Sequence, residues 1–210
     1  MTIQIETEVL GPLLNNTYLL GNLETRQAVI VDPSFDVERL VRRASEANFS
    51  IVAVWLTHAH FDHLAGADAL VNMIRPAPVL GLHPADLALL RDGGGAKNFG
   101  LDVQVNVTPT ILFEHGQLLS LGEDKIEVRH APGHTAGHVI FYLPGSGVAL
   151  CGDVIFRGSI GRTDLPGGSY NQLINSIRSQ VLTLPGETRL LCGHGAETTV
   201  ALERDHNPFL

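Results

Sequence analysis

The sequence predicts an α/β fold in which two β-sheets pack face to face with helices on the outside. Short apolar runs of strand length alternate with segments of helical periodicity along the 210 residues. An apolar strand that ends in aspartate or histidine occurs in both halves, at 29–32 and 55–58 and again at 149–153 and 190–194. Each half is therefore expected to place polar side chains along one edge of the sandwich. No linker divides the chain, so residues 1–210 are predicted to form one domain.

The first part of the chain alternates strands and helices. Apolar runs predict strands at 3–10, 17–20, 28–32, 51–56 and 79–82. Helical spacing predicts a helix over 37–47, with Asp36 and Glu38 near its positive N-terminal end. A second helix is predicted to open at Asp62 and to end before Pro76, because proline disfavours helical backbone in the residue that precedes it. A short helix follows at 84–90.

The second part of the chain is predicted to be mostly β-structure. Residues 91–100 contain three successive glycines and are predicted to form a mobile loop without phosphate-binding spacing. Strands are predicted at 111–113, 118–121, 126–131, 139–143 and 148–151. A helix over 169–182, with Ser169 as its N-cap, precedes a last strand at 188–192.

Composition restricts the partners of the protein. Its 14 Lys and Arg against 22 Asp and Glu give a formal net charge of −8, which does not attract nucleic acid or an anionic membrane. No apolar stretch reaches the length of a membrane helix, and we find no signal peptide. Cys151 and Cys192 are too few for a disulfide framework and are interpreted as buried, inert thiols. We expect a cytoplasmic monomer or homodimer.

Residues 57–63, with the sequence THAHFDH, concentrate three histidines and an aspartate after the predicted strand 51–56. Imidazole and carboxylate groups are ligands of zinc, iron and manganese. His58 and His60 are two residues apart, so in extended backbone their rings project to the same side. Asp62 lies at the start of the following helix, where a carboxylate is favoured. The segment therefore predicts a metal site at the end of a rigid strand.

Three further donors follow apolar strands in turns that contain glycine, namely His134, Asp153 and His194. Glycine allows the backbone to approach a ligand closely. Together with the donors of residues 57–63 they make five histidines and two aspartates, which exceeds the needs of one tetrahedral ion. The set suits two divalent metal ions that share a bridging carboxylate, with zinc favoured and iron or manganese as alternatives.

In the order of these donors the sequence resembles the metallo-β-lactamase superfamily, whose H-x-H-x-D-H signature is met by residues 58–63. The resemblance implies an αββα sandwich of two mixed β-sheets flanked by helices. The implied ligands are His58, His60 and His134 for the first ion, Asp62, His63 and His194 for the second, and Asp153 as the bridge. Asp62 is also the candidate catalytic residue, because it would help to orient the nucleophile.

Within this superfamily the sequence is most similar to type II glyoxalases (hydroxyacylglutathione hydrolases), particularly a short single-domain bacterial subgroup. The similarity lies in residues 152–164, GDVIFRGSIGRTD, and in residues 203–210. Full-length glyoxalase II enzymes carry a helical C-terminal domain that supplies basic groups for glutathione, whereas this chain ends soon after His194. We therefore expect thioester hydrolysis with weak or altered recognition of glutathione.

Arg162 is the leading candidate for substrate binding, because it stands where the longer enzymes place a substrate-binding lysine. An arginine can hold a carboxylate through two parallel hydrogen bonds. An internal ion pair with Asp164 is an equally good explanation of this residue. Arg157 and Tyr170 are weaker candidates for contact with the substrate.

Supporting roles are expected for three residues beside the ligands. Asp32 is a candidate to accept a hydrogen bond from a ligand imidazole, although a turn before Pro33 explains it equally well. Thr57 and Thr135 have the same two interpretations. The other histidines are interpreted as surface or core residues, namely His83, His115, His130, His138 and His206.

The expected reaction is hydrolysis of a small-molecule thioester such as S-2-hydroxyacylglutathione, for example S-lactoylglutathione to lactate and glutathione. Persulfide dioxygenases are an alternative, because they share the Gly-Arg-Thr-Asp element at 161–164 and use one Fe(II), here mapped onto His58, His134 and Asp153. The glycines on both sides of His194 favour the hydrolases. A lactonase or another hydrolase of the same fold is a third possibility. A non-enzymatic metal-binding module is disfavoured, because the donors come from separate turns around a cleft.

Overall fold

The computed structural model describes residues 2–210 and shows two six-stranded β-sheets packed face to face, with helices against both outer surfaces. The predicted fold class is confirmed. The strands of the first sheet, in chain order and also in neighbour order, are β1 (Ile3–Leu10), β2 (Asn15–Asn22), β3 (Gln27–Val31), β4 (Ser50–Trp55), β5 (Val79–Leu82) and β6 (Ile111–Leu112). β1, β2 and β3 are antiparallel neighbours, and β3 to β6 run parallel.

The second sheet is built mainly by the later part of the chain. Its strands are β7 (Leu118–Leu121), β8 (Asp124–His130), β9 (Val139–Leu143), β10 (Val148–Gly152), β13 (Arg189–Cys192) and β14 (Thr198–Thr199), with the neighbour order β14-β13-β10-β9-β8-β7. A small hairpin is formed by β11 (Ile155–Phe156) and β12 (Ser159–Ile160). β10 and β13 run parallel, and the other neighbours in this sheet are antiparallel.

Six α-helices accompany the sheets. They are α1 (Glu38–Glu46), α2 (Phe61–Leu64), α3 (Ala67–Met73), α4 (Leu87–Arg91), α5 (Tyr170–Ser176) and α6 (Val200–His206). α5 continues into a π-helical turn at Ile177–Val181, and 3₁₀ turns lie at Pro84–Asp86, Gly93–Phe99 and Pro144–Ser146. Within residues 2–210, no helix combines the length and the apolar character that crossing a bilayer requires.

The hydrophobic core has three layers, because each strand presents alternate residues to opposite faces. Between the sheets, Trp55, Phe113 and Phe141 form a buried aromatic cluster with ring centroids 5.3 to 6.5 Å apart. A second layer lies between the first sheet and the helices α1 and α3. A third layer packs the second sheet against α5 and the residues that follow it. These layers fix the strands whose ends carry the polar residues.

Two predicted segments differ from the structure. The single helix expected from Asp62 to Pro76 is two helices, α2 and α3, because the chain bends at Gly66, whose N–H donates to Pro33 O at 2.9 Å. Residues 91–100, predicted as a loop, instead form the end of α4 and short 3₁₀ turns within Gly93–Phe99, which a kink with left-handed backbone at Gly94 and Gly95 interrupts. Gly94 has φ +67° and packs against residues 59–61, so closely that a Cβ on it would lie 2.3 Å from Phe61 N. The glycines therefore permit close packing in this place.

Four short elements were absent from the sequence prediction, namely β11, β12, β14 and α6. The three strands contain two residues each, which is too short for a periodic pattern to be visible. Ser169 is confirmed as the N-cap of α5, since its hydroxyl accepts a hydrogen bond from Gln172 N.

The polar edge of the sandwich follows from the strand directions. β3 and β4 are parallel neighbours in the first sheet, and β10 and β13 are parallel neighbours in the second. The C-terminal ends of parallel neighbours lie at the same edge of a sheet. An isolated β-bridge between Asn15 and His194 joins the two sheets at this edge. The residues that follow β3, β4, β10 and β13 are therefore brought together.

Candidate metal centre

The first group of donors consists of His58, His60 and His134, which we call the histidine set. Their ligand nitrogens all lie within 4.8 Å of one another. His58 and His60 follow β4, and His134 lies in the turn between β8 and β9. The three side chains are buried. His60 Nδ1 lies 2.8 Å from His134 Nε2.

Hydrogen bonds determine which nitrogen of two of these rings faces the centre. The Thr57 hydroxyl donates to Asp32 at 2.7 Å, so it accepts from His58 Nδ1 at 3.0 Å and leaves His58 Nε2 unprotonated. His134 Nδ1 donates to the carbonyl oxygen of Arg162 at 2.8 Å, which leaves His134 Nε2 with its lone pair. Both rings therefore present an acceptor nitrogen, as a metal ligand must.

The second group of donors consists of Asp62, His63 and His194, which we call the mixed set. Their ligand atoms also lie within 4.8 Å of one another. His194 Nε2 is 3.1 Å from Asp62 Oδ2, and His63 Nε2 is 3.5 Å from the same oxygen. Asp62 and His63 belong to α2, whereas His194 follows β13.

Each histidine of the mixed set is held through its other nitrogen. His63 Nδ1 donates to Asp32 Oδ2 at 3.0 Å, and Asp32 also accepts from Thr57 N at 2.7 Å. His194 Nδ1 donates to the carbonyl oxygen of Leu13 at 3.0 Å, in the turn between β1 and β2. The Nε2 atoms of both rings therefore face the centre.

Asp153 lies between the two sets. Its Oδ1 is 3.3 Å from His63 Nε2, and its Oδ2 is 3.6 Å from His134 Nε2 and 3.7 Å from His194 Nε2. The residue follows β10, and its N–H donates to His138 Nε2 at 3.0 Å. One carboxylate thus faces donors of both sets.

Close packing at this point depends on Gly193. A Cβ on this residue would lie 2.1 Å from Asp153 Oδ1 and 2.7 Å from the His63 ring. Those distances are far below van der Waals contact, so the position excludes every residue with a side chain unless the centre shifts. The glycine before His194 is therefore part of the geometry that brings Asp153 and His63 together.

Burial makes the histidine set neutral. It lowers the pKa of His58 well below the ordinary value, and nearby His63 lowers it further. Burial, with the adjacent His134, lowers the pKa of His60 to about 3. The pKa of His134 is also lowered by burial, although Asp153 opposes the shift.

Carboxylates give the mixed set the opposite behaviour. Burial opposes protonation of His63, but Asp153 and Asp62 raise its pKa well above the ordinary value. Burial is likewise outweighed at His194, where the hydrogen bond with Asp62 and the charge of Asp153 raise the pKa. The pKa values of Asp62 and Asp153 are lowered against the effect of burial, chiefly by His63.

Buried polar atoms that lack hydrogen-bond partners indicate that these residues can hold metal ions. His58 Nε2 is buried without a hydrogen-bond partner among residues 2–210, and the buried His63 Nε2 and Asp153 Oδ1 face each other at 3.3 Å without making a hydrogen bond of good geometry. Burying such atoms without a partner is unfavourable by about 1–3 kcal/mol each, and a cation removes this penalty. Asp32, His58 and His63 also have possible ligand atoms within 4.8 Å of one another. The carboxylate oxygens of Asp32, however, already accept hydrogen bonds from Thr57 and from His63 Nδ1. We therefore assign Asp32 to orientation of His63.

The sequence analysis did not predict one residue that supports the centre. Asp86, in the 3₁₀ turn after β5, is buried and accepts from Ala59 N, Gly137 N and the Thr135 hydroxyl at 2.6 to 3.1 Å. It thereby ties the loop of His58 and His60 to the loop of His134. The sequence offered no signal for it, because an aspartate in the first turn of a helix is common. Thr135 therefore supports the loop through Asp86, to which its hydroxyl donates at 2.7 Å.

The other histidines lie outside the two sets. His138 stacks on His58 with ring centroids 4.6 Å apart and accepts from Asp153 N, so it lines the centre without facing it. His83 accepts from Ala85 N at the start of a 3₁₀ turn and stacks on His130. His130 N in turn donates to His115 Nδ1.

A cleft of about 210 Å³ opens over the centre. Besides metal-centre donors, its walls are Leu13, Phe61, Phe99, Leu165 and Arg162. A larger groove of about 340 Å³, near α1 and α3, has no histidine or carboxylate in its lining. The smaller cleft is therefore the candidate active site.

The three predicted substrate contacts have different positions. Arg162 lines the cleft, and its guanidinium is paired with Asp164 at 2.8 Å. Arg157 is exposed at the turn of the β11–β12 hairpin and is outside the cleft lining. Tyr170 is also outside it, because α5 turns Leu173 and Ile174 to the core and leaves Tyr170 in solvent.

Comparison with known proteins agrees with this geometry. Residues 10–194 match the metallo-beta-lactamase superfamily. Hydroxyacylglutathione hydrolase GloC of Haemophilus influenzae is 37% identical over 189 residues, which cover 89% of each chain. The solved structure of BLEG-1 B3 metallo-beta-lactamase has a TM-score of 0.92 at 36% identity and covers 99% of each chain. The structure of TTHA1623 in a di-iron-bound form has a TM-score of 0.87 at 37% identity, covering 98% of this chain and all of the other.

Proposed function

The chain belongs to the metallo-beta-lactamase superfamily and is a metal-dependent hydrolase, and on this premise we propose that it hydrolyses a small-molecule thioester with two divalent cations. The observation that carries the proposal is the position of Asp153, whose two oxygens face donors of both sets. The histidine set would hold one cation and the mixed set the other. Zinc is the favoured metal, and the di-iron form of TTHA1623 supports iron as the alternative.

The cations, when bound, supply a solvent nucleophile at neutral pH and offset negative charge on the substrate carbonyl oxygen. The remaining tasks fall to side chains of this protein. Asp62 lines the cleft and can accept a hydrogen bond from the attacking water, which orients it toward the carbonyl carbon. Leu13, Phe61, Phe99 and Leu165 provide apolar walls that limit access of bulk water.

The cleft favours a substrate with a good leaving group. Among the described residues that line it, Arg162 is the sole ionisable side chain outside the two donor sets and Asp153. A guanidinium stays protonated at neutral pH, and the hydrogen bond with Asp164 raises the pKa of Arg162 further, so this side chain is a poor proton donor to a leaving group. A thiolate leaves without a strong general acid, whereas an amine does not. This difference supports a thioester substrate over an amide.

The acyl and thiol groups that we propose follow the relative GloC, a hydroxyacylglutathione hydrolase. S-lactoylglutathione is therefore the first substrate to assay. With metal-loaded protein, hydrolysis should release free thiol at a rate proportional to enzyme and should stop after chelation. Asp205→Asn, at an exposed position in α6, is the control variant and should keep the parental rate.

Two other activities define the outcomes that would overturn the proposal. Hydrolysis of a lactone with no release of thiol from any thioester would identify a lactonase. Consumption of O₂ with glutathione persulfide, in protein that contains one iron per chain, would identify a dioxygenase that uses His58, His134 and Asp153.

A further inference from the structure

Arg162 is the single arginine or lysine among the described residues that line the cleft. Its main chain is fixed, because its carbonyl oxygen accepts the hydrogen bond from His134 Nδ1. An adjoining recess of about 60 Å³ contributes Asp92 and Asn98 and no further cation. A substrate carboxylate that enters this cleft therefore has one cationic side chain to bind.

That guanidinium is already engaged by Asp164. Arg162 Nε and Nη2 donate to the two oxygens of Asp164, each at 2.8 Å. Two parallel hydrogen bonds are the arrangement in which arginine binds carboxylates best, so Asp164 uses the fork that a substrate carboxylate would need. Asp164 is charged at neutral pH, as an exposed carboxylate normally is, and the hydrogen bond from Arg162 lowers its pKa to about 2.

We propose that Asp164 is a specificity-determining residue that lowers the affinity of the cleft for thioesters with an anionic thiol portion. Asp164 competes with a substrate carboxylate for Arg162 and adds a negative charge beside this guanidinium. Thioesters of an uncharged thiol experience neither effect. The inference rests on the proposed function in one respect, namely that the ligand of this cleft is a thioester.

The expected effect is modest because the pair is exposed. The side chains of Arg162 and Asp164 are 50% and 67% accessible. Exposed ion pairs are weak, so a substrate can displace Asp164 at small expense in free energy. Removing the competitor should change the selectivity about two- to fivefold.

The test compares two thioesters of the same acyl group, one with glutathione and one with uncharged N-acetylcysteamine. In Asp164→Asn, the ratio of kcat/KM for the glutathione ester to that for the neutral ester should rise about two- to fivefold through a lower KM. The gain should disappear in the double variant Asp164→Asn, Arg162→Gln, because the liberated guanidinium is absent. An unchanged ratio in Asp164→Asn, or a gain that persists without Arg162, would overturn the inference.

The chain contains a matched control for the change in net charge. Arg189 and Glu197 form a second exposed pair with two hydrogen bonds, at 3.2 and 2.5 Å, and neither residue lines the cleft. Glu197→Gln should leave the selectivity ratio unchanged. If it raises the ratio as much as Asp164→Asn does, overall charge explains the effect and the inference is wrong.

A binding measurement separates this inference from the proposed function. S-methylglutathione contains the same carboxylates but no thioester, so its Kd for metal-loaded protein is independent of hydrolysis. Calorimetry should give a two- to fivefold lower Kd for Asp164→Asn than for the parent. Failure of thioester hydrolysis together with this lower Kd would reject the proposed function alone. Hydrolysis with an unchanged Kd and an unchanged selectivity ratio would reject the role of Asp164 alone.

Discussion

The histidine set and the mixed set lie side by side, yet they differ in charge and protonation. In the histidine set, burial and neighbouring imidazoles keep the rings neutral, and the pKa of His60 falls to about 3. In the mixed set, Asp62 and Asp153 raise the pKa values of His63 and His194 above the ordinary value. One group is thus ready to take a cation without losing protons, whereas the other must exchange protons for its cation.

The comparison shows that orientation is supplied differently as well. In the histidine set, a hydroxyl and a main-chain carbonyl hold His58 and His134. In the mixed set, a main-chain carbonyl holds His194, but the buried carboxylate of Asp32 holds His63. A carboxylate behind an imidazole increases the basicity of the ring more than a neutral acceptor does. The two sets therefore respond differently to substitutions behind the ligands.

Removing the residue between the sets should have the largest effect. Asp153→Asn removes a negative charge that faces His63, His134 and His194. We expect thioesterase activity to fall on the order of 10³-fold, since a loss of about 4 kcal/mol of cation-dependent stabilisation corresponds to that factor. Steady-state kinetics with metal analysis and circular dichroism would check it. A folded variant with two bound metals and near-parental activity would show that Asp153 does not link the sets.

Substituting the outer carboxylates should separate the two sets. Asp32→Asn weakens the support of His63, which contacts it directly, more than that of His58, which it reaches only through Thr57, and should reduce affinity for the metal equivalent of the mixed set by about 10–100-fold. Asp86→Asn disturbs the two loops that carry the histidine set and should reduce affinity for the other equivalent. Competition with a chromophoric chelator would measure both constants. The comparison fails if both variants weaken the same equivalent.

Acidification should release the metal ions in a defined order. The raised pKa values of His63 and His194 mean that protons compete for the mixed set as soon as the pH falls through those values. In the histidine set the pKa values are lowered, so protons compete with the metal only at more acidic pH, near 3 in the case of His60. The affinity of the mixed set for its metal ion, which is released first, should fall about tenfold per pH unit for each proton that the set binds.

Metal content after equilibration at pH values from 7.5 down to 3 would follow both steps of this release. Asp62→Asn, which removes a donor of the mixed set, should abolish the early step and leave the late one. Loss of both equivalents in one step, in parent and variant alike, would contradict the difference between the sets.

The smallest effect should come from a buried glutamate outside the centre. Glu203 in α6 is 1% exposed and accepts from Gly158 N, the Asn207 amide and the Thr198 hydroxyl. It thereby anchors the β11–β12 hairpin, which connects Asp153 to the Arg162 carbonyl behind His134.

Glu203→Gln keeps the size of the side chain but weakens these hydrogen bonds, which contribute about 1 kcal/mol each. Thermal stability should decrease, and metal affinity should fall no more than about tenfold. Differential scanning fluorimetry with and without added metal would measure both effects. An unchanged Tm would show that the hairpin is held in another way.

The donors could be predicted from sequence because their pattern is local. The spacing of residues 58–63 and the turns at His134, Asp153 and His194 place ligands directly after strands. Of the acceptors behind them, Asp32 was a candidate from sequence, but the main-chain carbonyls of Leu13 and Arg162 could not be predicted, because a carbonyl carries no signal in the identity of its residue. Asp86 was missed for a related reason, since its partners lie 27 and more residues away in the sequence.

Strands that are long and apolar could be predicted from the sequence. Strands of two residues could not, because only their hydrogen bonds to neighbouring segments define them. β4 and β10 are buried runs with clear ends. The hairpin β11–β12 and strand β14 exist because Glu203, Asn207 and β13 supply their partners. Tertiary contacts of this kind leave no periodicity in the sequence.

Metal stoichiometry measured together with activity tests the central claim most directly. Protein freed of metal by chelation would be reconstituted with increasing zinc or iron, and bound metal and thioester hydrolysis would be measured in the same samples. We predict that activity rises as the second equivalent binds and reaches its maximum at two ions per chain. Full activity with one ion per chain, or activity that survives exhaustive chelation, would contradict a centre in which Asp153 links two cations.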